Sequence, residues 1–286
     1  MNGENLRKSL HDGSRVYGTH ITGLSNAVIT RLLGTAPLDY VFFCNEHMPM
    51  DRAETSILCQ HFSSMGISPI VRISSPDATE AAMALDAGAE GIVVPYIETV
   101  DEVRKMVGAV HYRPIKGRQL REIFDGTRPP TPAGETFLRR FNRHHYLIIG
   151  IESVAAYENL DALIGVEGVD GVFMGPHDLS VSLDVAEQWE HPKLLRLIED
   201  TTRRCRAAGI GVGVHLSHIF SMEQTHRFTS MGMNWILDGA DISHILHGLK
   251  QRRQAICGGE AVRPVEANGT AACIAPAAPA RRQAEV

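Results

Sequence analysis

The 286-residue sequence contains no long apolar run, no closely paired cysteines and few aromatic side chains. No uncharged apolar stretch approaches the roughly 20 residues that a membrane-spanning helix needs, so we expect no membrane partner. Residues 1–16 carry several charges and no apolar core, which is not the pattern of a secretory signal. The five cysteines are odd in number and never form a C-x-x-C spacing, which argues for reduced thiols. We therefore predict a cytoplasmic protein.

The charge is nearly balanced, because 33 acidic and 28 basic side chains give a formal net charge of −5. No stripe of basic residues is interleaved with aromatic residues, so we expect no nucleic-acid partner. The chain is 44% hydrophobic and 21% charged, which is typical of a globular protein. A chain of this length buries a core without disulfides or a structural metal.

Short apolar segments alternate with longer amphipathic segments eight times along the chain. The apolar segments are nearly continuous, as expected for strands of a parallel sheet that is covered on both faces. The predicted strands are residues 16–21, 39–44, 69–73, 91–95, 146–152, 169–174, 210–215 and 234–238. The predicted helices include residues 50–65, 77–87, 100–110, 154–164, 192–208 and 221–231. Eight such units match the size of a closed (β/α)₈ barrel, and an open doubly wound sheet is the alternative.

The predicted organisation is a single α/β domain, a (β/α)₈ TIM barrel over residues 1–257. Residues 112–145 form an unusually long connection, which is typical of a functional cover or an oligomer contact. Residues 258–286 are rich in alanine and proline and have no hydrophobic period, so we predict a disordered tail. Glycines at positions that favour a left-handed turn follow four of the predicted helices: Gly66, Gly88, Gly209 and Gly232.

Polar side chains follow several predicted strands at their carboxyl ends, where the active sites of such barrels lie. Glu152 and Asp178 follow neighbouring strands, and two carboxylates with open positions suit Mg²⁺ or Mn²⁺. Arg72 offers a fork to a carboxylate or an enolate oxygen. His47 has an ordinary pKa near neutrality, which suits proton transfer. The combination predicts proton abstraction next to a carbonyl, assisted by a metal ion.

Each of these groups also has an ordinary structural explanation when it is taken alone. Asp178 could cap the next helix, Arg72 could pair with an acid inside the barrel, and His47 could serve packing. The functional hypothesis depends on their common position at one rim of the barrel.

Four segments carry a resemblance to a known family. They are Asn-Glu-His at 45–47, Ala-Leu-Asp-Ala-Gly-Ala-Glu-Gly-Ile-Val-Val-Pro at 84–95, Ile-Glu-Ser at 151–153, and Gly-Val-Asp-Gly-Val-Phe-Met-Gly-Pro-His-Asp-Leu-Ser at 168–180. Over residues 16–249 the sequence resembles the class II, metal-dependent 2-keto-acid aldolases of the HpcH/HpaI family. The resemblance implies a (β/α)₈ barrel that is often hexameric, with the final helix packed on a neighbouring subunit.

The resemblance also implies roles for individual residues. Glu152 and Asp178 look like ligands of a divalent cation, Mg²⁺ or Mn²⁺, with Co²⁺ as a further candidate. Arg72 looks like the residue that holds the keto acid and its enolate, and His47 like the base. Asp86 matches an aspartate that reaches a neighbouring subunit's site, which implies a homo-oligomer.

The segment Gly175-Pro176-His177-Asp178 matches the part of the family that holds the keto-acid carboxylate, mainly through backbone N–H groups. His177 replaces a residue that is commonly small. We therefore expect an additional titratable side chain beside Asp178, the residue that looks like a metal ligand.

Two further departures from the family pattern concern residues that could modulate the site. Cys44 stands where the family usually has an aspartate that orients the histidine, so we expect a weaker base or altered chemistry. The family loop that usually reads Gly-x-Arg-Gly is Lys116-Gly117-Arg118-Gln119 in this sequence, so Gln119 replaces the second glycine. Cys44, Glu46 and Arg118 are therefore candidate modulators.

The sequence favours a divalent-metal-dependent aldolase that forms or cleaves a hydroxy-keto acid from a pyruvate-type donor and an aldehyde. The alternatives within the lyases are an oxaloacetate-type decarboxylase and a citrate-lyase-like acyl-CoA lyase. The alternative from another class is a non-catalytic homologue that binds a keto acid.

Overall fold

A closed barrel of eight parallel strands forms the core of the computed structural model, which describes residues 1–24, 26–217 and 219–258. The strands follow one another around the barrel in sequence order, and β8 pairs with β1 to close it. Their bounds are β1 Val16–His20, β2 Tyr40–Cys44, β3 Ser68–Arg72, β4 Gly91–Val94, β5 Tyr146–Ile151, β6 Gly171–Met174, β7 Gly211–Leu216 and β8 Trp235–Ala240. The predicted barrel is confirmed, and every predicted strand overlaps an observed one.

Helices connect the strands along most of the chain. They are α1 Gly3–Asp12, α2 Ala27–Leu33, α3 Arg52–Ser64, α4 Ala78–Asp86, α5 Val100–His111, α6 Gly117–Phe124, α7 Pro132–Phe141, α8 Val154–Glu158, α9 Leu160–Ile164, α10 Pro176–Ser182, α11 Pro192–Ala207, α12 Met222–Ser230 and α13 Asp241–Cys257. The helix predicted at 154–164 is divided in two at Asn159, which ends α8 and begins α9.

The four glycines predicted to end helices have left-handed backbones. Their φ angles are +74° at Gly66, +109° at Gly88, +72° at Gly209 and +106° at Gly232. An L side chain is disfavoured in this conformation, so glycine at these positions ends the helix at little conformational cost.

Residues 112–145, which the sequence marks as one long connection, contain the two helices α6 and α7. Thr131 caps α7 by accepting a hydrogen bond from the Gly134 amide, and Pro132 occupies the first turn. These are ordinary helix-start residues. The connection is therefore an ordered helical insertion.

Apolar side chains fill both the inside of the barrel and the layer between strands and helices. Inside, the aromatic residues Tyr40, Phe42, Phe173 and Trp235 pack on one another with ring centroids 5.4 to 6.4 Å apart. Outside, strand residues pack against the amphipathic helices. A filled interior leaves the carboxyl-terminal rim as the place for a site.

Helix α1 packs its apolar side against the amino-terminal side of the barrel. Leu6 and Leu10 are fully buried, and Leu10 contacts the backbone of Gly211 at the start of β7. The Asp170 side chain, just before β6, accepts hydrogen bonds from Arg7 and His11 of this helix. This helix was not predicted from the sequence.

Contacts within the chain divide it into two units after Ile245. In the second unit, the described residues 246–258 contain the end of α13 and expose Leu246, Leu249 and Ile256. The predicted disordered tail falls almost entirely on residues 259–286, which lie outside the described part of the chain. Within the described residues, every helix is too short or too polar to cross a membrane.

Candidate active site

The carboxyl ends of β2, β3, β5 and β6 bring the predicted site residues to one rim. Cys44 ends β2 and Arg72 ends β3, and the two residues pair across the strands. Glu152 directly follows β5, and Gly175 directly follows β6. Parallel strands end on the same side of the barrel, so residues distant in sequence become neighbours here.

Arg72 is the buried centre of this rim, with 7% of its surface exposed. Its Nε and Nη2 groups donate to Cys44 Sγ at 3.3 and 3.1 Å, and Nε lies 3.0 Å from Glu46 Oε2. Its Nη1 group lies 3.5 Å from Glu152 Oε1. Burial disfavours the cation, but Cys44, Glu46 and Glu152 outweigh burial and raise the pKa of Arg72. The site therefore keeps a permanent positive charge.

Glu152 is buried, with 6% exposure, and its Oε2 accepts the backbone N–H of Tyr96 at 3.1 Å. Burial raises the pKa of Glu152 to about 7, although the Tyr96 amide and Arg72 favour its charged form. The neighbouring Asp178 and Glu46 carboxylates raise the pKa further. The rim thus holds more negative charge than Arg72 alone compensates.

Gly175 makes room for two carboxylates at the same point. A Cβ atom at Gly175 would lie 2.9 Å from Asp178 Oδ2 and 3.0 Å from Glu152 Oε1. Gly175 also precedes α10, which begins with Pro176 and places Asp178 in its first turn. The absence of a side chain at residue 175 lets both oxygens face one space.

Two oxygen ligands fit a hard divalent cation such as Mg²⁺, which keeps several waters or binds a chelating substrate. Within residues 1–24, 26–217 and 219–258, no group of three or more His, Cys, Asp or Glu side chains could hold a metal ion. A closed structural zinc site, which needs four protein ligands, therefore does not fit this part of the chain. Glu152 and Asp178 remain the residues that could hold a metal.

His47 lies at the solvent side of the rim, with 60% of its side chain exposed. Its Nε2 lies 3.7 Å from Glu46 Oε1, and its backbone N–H points to Cys44 Sγ at 3.4 Å. The Cys44 thiol therefore contacts the Arg72 guanidinium and the His47 backbone, whereas the carboxylate beside the imidazole belongs to Glu46. The family pattern has an aspartate at position 44 that orients the histidine, and Cys44 in its place led us to expect a weaker base or altered chemistry.

Tyr96 was not predicted as a site residue. It follows β4 and Pro95 with a left-handed φ of +55°, which is uncommon for a bulky side chain. Its amide donates to Glu152, and its phenol donates to Glu46 Oε1. The hydrogen bond to Glu46 and burial raise the pKa of Tyr96 to about 12. The signal in the sequence was a polar residue at the end of strand four.

Three other predicted residues lie apart from this cluster within the described chain. Asp86 is 69% exposed and pairs with Arg113. Arg118 is 81% exposed and lies 3.3 Å from Glu122 on α6. His177 is 58% exposed and lies 3.5 Å from Glu187. No hydrogen bond or ion pair of the described residues joins these side chains to Arg72 or Glu152.

Two histidines, His20 and His215, lie near Arg72. Burial, together with the neighbouring His215 and Arg72 charges, lowers the pKa of His20 to about 3. Burial likewise lowers the pKa of His215, whose Nε2 is 3.1 Å from the Gly239 carbonyl oxygen. Both rings are therefore neutral near pH 7, a pH above these pKa values.

Comparisons with known proteins agree with this architecture. Residues 20–247 match the model of a family described as HpcH/HpaI aldolase/citrate lyase. A 2-keto-3-deoxy-L-rhamnonate aldolase from Klebsiella pneumoniae is 29% identical over 263 residues, which cover 91% of this chain and 96% of that protein. The protein of the same name from Salmonella gallinarum is 28% identical over 251 residues, covering 86% and 91%.

Among solved structures, an HpcH/HpaI aldolase from Desulfitobacterium hafniense superposes with a TM-score of 0.74 at 27% identity. The match covers 91% of this chain and 99% of that one. The similarity thus extends over the whole barrel.

Proposed function

Because the chain belongs to the HpcH/HpaI aldolase/citrate lyase family, we propose that it is a divalent-metal-dependent aldolase. The reaction forms or cleaves a hydroxy-keto acid from a pyruvate-type donor and an aldehyde. The observation that carries the proposal is the meeting of Glu152 Oε1 and Asp178 Oδ2 beside Gly175, next to the Arg72 guanidinium.

Glu152 and Asp178 would hold the cation, Mg²⁺, Mn²⁺ or Co²⁺, which supplies Lewis-acid stabilisation of the charge that develops on the keto oxygen. Burial of Glu152 and the negative charges around it support this role, since a bound cation relieves their repulsion. Burial is the main cause of the raised pKa of Glu152, and the Asp178 and Glu46 carboxylates raise it further.

Arg72 binds the donor and stabilises its anionic form. Its charge is retained in a buried position, where electrostatic interactions are stronger than in water. Contacts with Cys44 and Glu46 hold the Nε edge of the guanidinium. Backbone N–H groups of the segment from Gly175 to Asp178 bind the donor carboxylate, as expected at the start of a helix.

His47 takes the proton from C3 of the donor, and the electron pair of the broken C–H bond becomes the C2–C3 double bond of the enolate. C3 then forms a bond to the aldehyde carbon, and the aldehyde oxygen takes up a proton. Cleavage follows the same steps in reverse. Glu46, 3.7 Å from the imidazole, stabilises the imidazolium that forms.

The substrate class follows from the relatives. Since the Klebsiella pneumoniae relative is named for 2-keto-3-deoxy-L-rhamnonate, we propose a 2-keto-3-deoxy sugar acid of that kind as the cleaved substrate. We also propose a homo-oligomer, a hexamer in the form implied by the family resemblance. The exposed Asp86 would then reach a neighbouring subunit's site.

Exchange of the pyruvate methyl protons in D₂O, followed by NMR, tests enolate formation without knowledge of the aldehyde. We expect exchange with Mn²⁺ or Mg²⁺, and loss of exchange with EDTA. Glu152→Ala removes one metal ligand, and Gly175→Ala fills the space between the two carboxylates, so both variants should lose at least about a hundredfold in rate. Glu158→Ala, on the exposed side of α8, is the matched control and should exchange at the wild-type rate.

Metal-independent exchange, or full exchange by Glu152→Ala, would refute the metal assignment. Release of pyruvate from 2-keto-3-deoxy-L-rhamnonate then tests the substrate class. If the protein exchanges pyruvate protons but releases pyruvate only from oxaloacetate, it is a decarboxylase. Cleavage of an acyl-CoA thioester would identify a citrate-lyase-like enzyme, and binding of pyruvate without any exchange would identify a non-catalytic homologue.

A further inference from the structure

Tyr96 contacts both acidic residues that flank Arg72. Its backbone N–H donates to Glu152 Oε2 at 3.1 Å, and its phenol hydroxyl donates to Glu46 Oε1. Glu152 follows β5 and Glu46 follows β2. One residue therefore connects carboxylates from two strands that are not neighbours.

The strand order places this connection above Arg72. Tyr96 follows β4, and β3 lies between β4 and β2 in the barrel. Tyr96 and Glu46 therefore meet from either side of β3, and Arg72 is the last residue of that strand. Tyr96 itself is 52% exposed whereas Arg72 is 7% exposed. The hydrogen bond between the phenol and Glu46 thus forms beside the guanidinium, whose Nε lies 3.0 Å from Glu46 Oε2.

The position of the Glu46 carboxylate depends on its hydrogen bond with the Tyr96 hydroxyl. Its side chain is only 8% exposed, and Oε2 faces Arg72 Nε at 3.0 Å. Within the described residues, the Tyr96 hydroxyl is the one group that donates a hydrogen bond to the Glu46 carboxylate. Loss of that donor would leave Glu46 Oε1 without a hydrogen bond in a buried position, which favours a shift of the carboxylate towards water. Such a shift takes Glu46 away from the Nε edge of Arg72.

We propose that Tyr96 is a positioning residue that holds Glu46 against Arg72 and thereby fixes the guanidinium for the keto-acid donor. The left-handed backbone supports this role, because a tyrosine is disfavoured there unless its own contacts compensate. The amide directed at Glu152 and the phenol directed at Glu46 are those contacts. The link to the donor rests on the proposed function, whereas the link to Arg72 does not.

The test compares Tyr96→Phe with Tyr157→Phe. Both changes remove a phenol hydroxyl that donates to a carboxylate, and Tyr157 donates to Asp200 at 2.9 Å away from the rim. The first measurement is hydrogen exchange of the Arg72 Nε–H by NMR, with its signal assigned from the loss in Arg72→Lys. We expect Tyr96→Phe to accelerate this exchange about tenfold, because the Nε–H loses the adjacent Glu46 carboxylate while its hydrogen bond to Cys44 Sγ remains. Tyr157→Phe should leave it unchanged.

The second measurement is the rate of pyruvate proton exchange with Mn²⁺. In Tyr96→Phe we expect KM for pyruvate to rise about tenfold and kcat to change less than about threefold, since the ground-state binding of the donor is affected most. In a Glu46→Leu background the same Tyr96→Phe change should have no further effect on either measurement.

Equal Arg72 exchange in Tyr96→Phe and Tyr157→Phe would overturn the proposal. A full Tyr96→Phe effect that persists in Glu46→Leu would also overturn it, because Tyr96 would then act without Glu46. If the wild-type protein catalyses no pyruvate exchange, the proposed function fails, and the Arg72 measurement still decides the role of Tyr96.

Discussion

Asp170 is a buried charge at the amino-terminal side of the barrel. Its replacement should destabilise the fold without changing the residues of the candidate active site at the opposite rim. Its side chain is 1% exposed, and Oδ1 accepts from Arg7 Nε at 2.7 Å and from His11 Nε2 at 2.9 Å. Oδ2 accepts the Leu147 amide at 2.8 Å and lies 3.2 Å from His111 Nε2. The carboxylate thus connects helices α1 and α5 to the barrel.

Asp170→Asn keeps the shape of the side chain and removes its charge. Hydrogen bonds to charged groups contribute about 1.5–3 kcal/mol each, and removing one partner of a buried pair costs about 3–5 kcal/mol. Arg7 and His11 are 37% and 40% exposed, so water replaces part of what they lose. We expect the free energy of unfolding to fall by about 3 kcal/mol.

The difference in free energy of unfolding between wild type and Asp170→Asn should depend on pH. Burial opposes the Asp170 charge, but His11, His111 and Arg7 hold the pKa of Asp170 well below its ordinary value. That stabilisation is present above the unfolded value of about 4 and is lost as the pH falls through the folded pKa. The hydrogen bond to Asp170 raises the pKa of His11. Its contribution is present below about pH 6.5 and is lost as the pH rises through the folded pKa.

Urea unfolding followed by circular dichroism, at fixed protein concentration, measures the difference. We expect a larger gap between wild type and Asp170→Asn at about pH 5.5 than at about pH 8.5, because a larger fraction of His11 is charged at the lower pH. Asp161→Asn is the control, since Asp161 pairs with Arg204 at 2.8 Å but is 79% exposed. A loss below about 1 kcal/mol at the lower pH, or an equal gap at both, would refute the reasoning.

Two further predictions concern the rim and the assembly. Cys44 Sγ lies 3.3 Å from Arg72 Nε and 3.1 Å from Arg72 Nη2. Cys44→Asp should place a carboxylate at this position, which would compete with the donor for the guanidinium and raise KM for pyruvate about tenfold. A higher kcat with unchanged KM would instead support a role on the His47 imidazole. Sedimentation of the wild-type protein should show a homo-oligomer, and a monomer would contradict this. The Asp86→Asn variant should sediment as the same oligomer but turn over substrate more slowly.

Much of the barrel is readable from the sequence. All eight strands were predicted, because strands buried on both faces appear as nearly continuous apolar runs. Helix ends at Gly66 and Gly232 were predicted because a left-handed turn strongly favours glycine. With the strands placed, the rim positions of Arg72 and Glu152 followed, since the carboxyl ends of parallel strands meet at one edge.

Three short helices, α1, α6 and α7, were missed. Helix α1 has cap signals at Asn2 and Gly13, but Leu6 and Leu10 are its only large apolar side chains, and both are buried. Two of its polar residues, Arg7 and His11, bond to Asp170, which lies more than 150 positions away along the chain. Helices α6 and α7 are short and bury almost none of their side chains, although Leu120, Ile123 and Phe124 lie on one face of α6.

The pairing of individual polar atoms depended on the folded chain. The sequence places Cys44 near His47, yet its thiol faces Arg72, because β2 and β3 are paired in register at these two residues. Tyr96 reaches Glu46 across an intervening strand. Strand identity is a local pattern of burial, and so one sequence reveals it. Contacts between side chains depend on register, backbone angle and rotamer in segments far apart, and these are set only when the barrel closes.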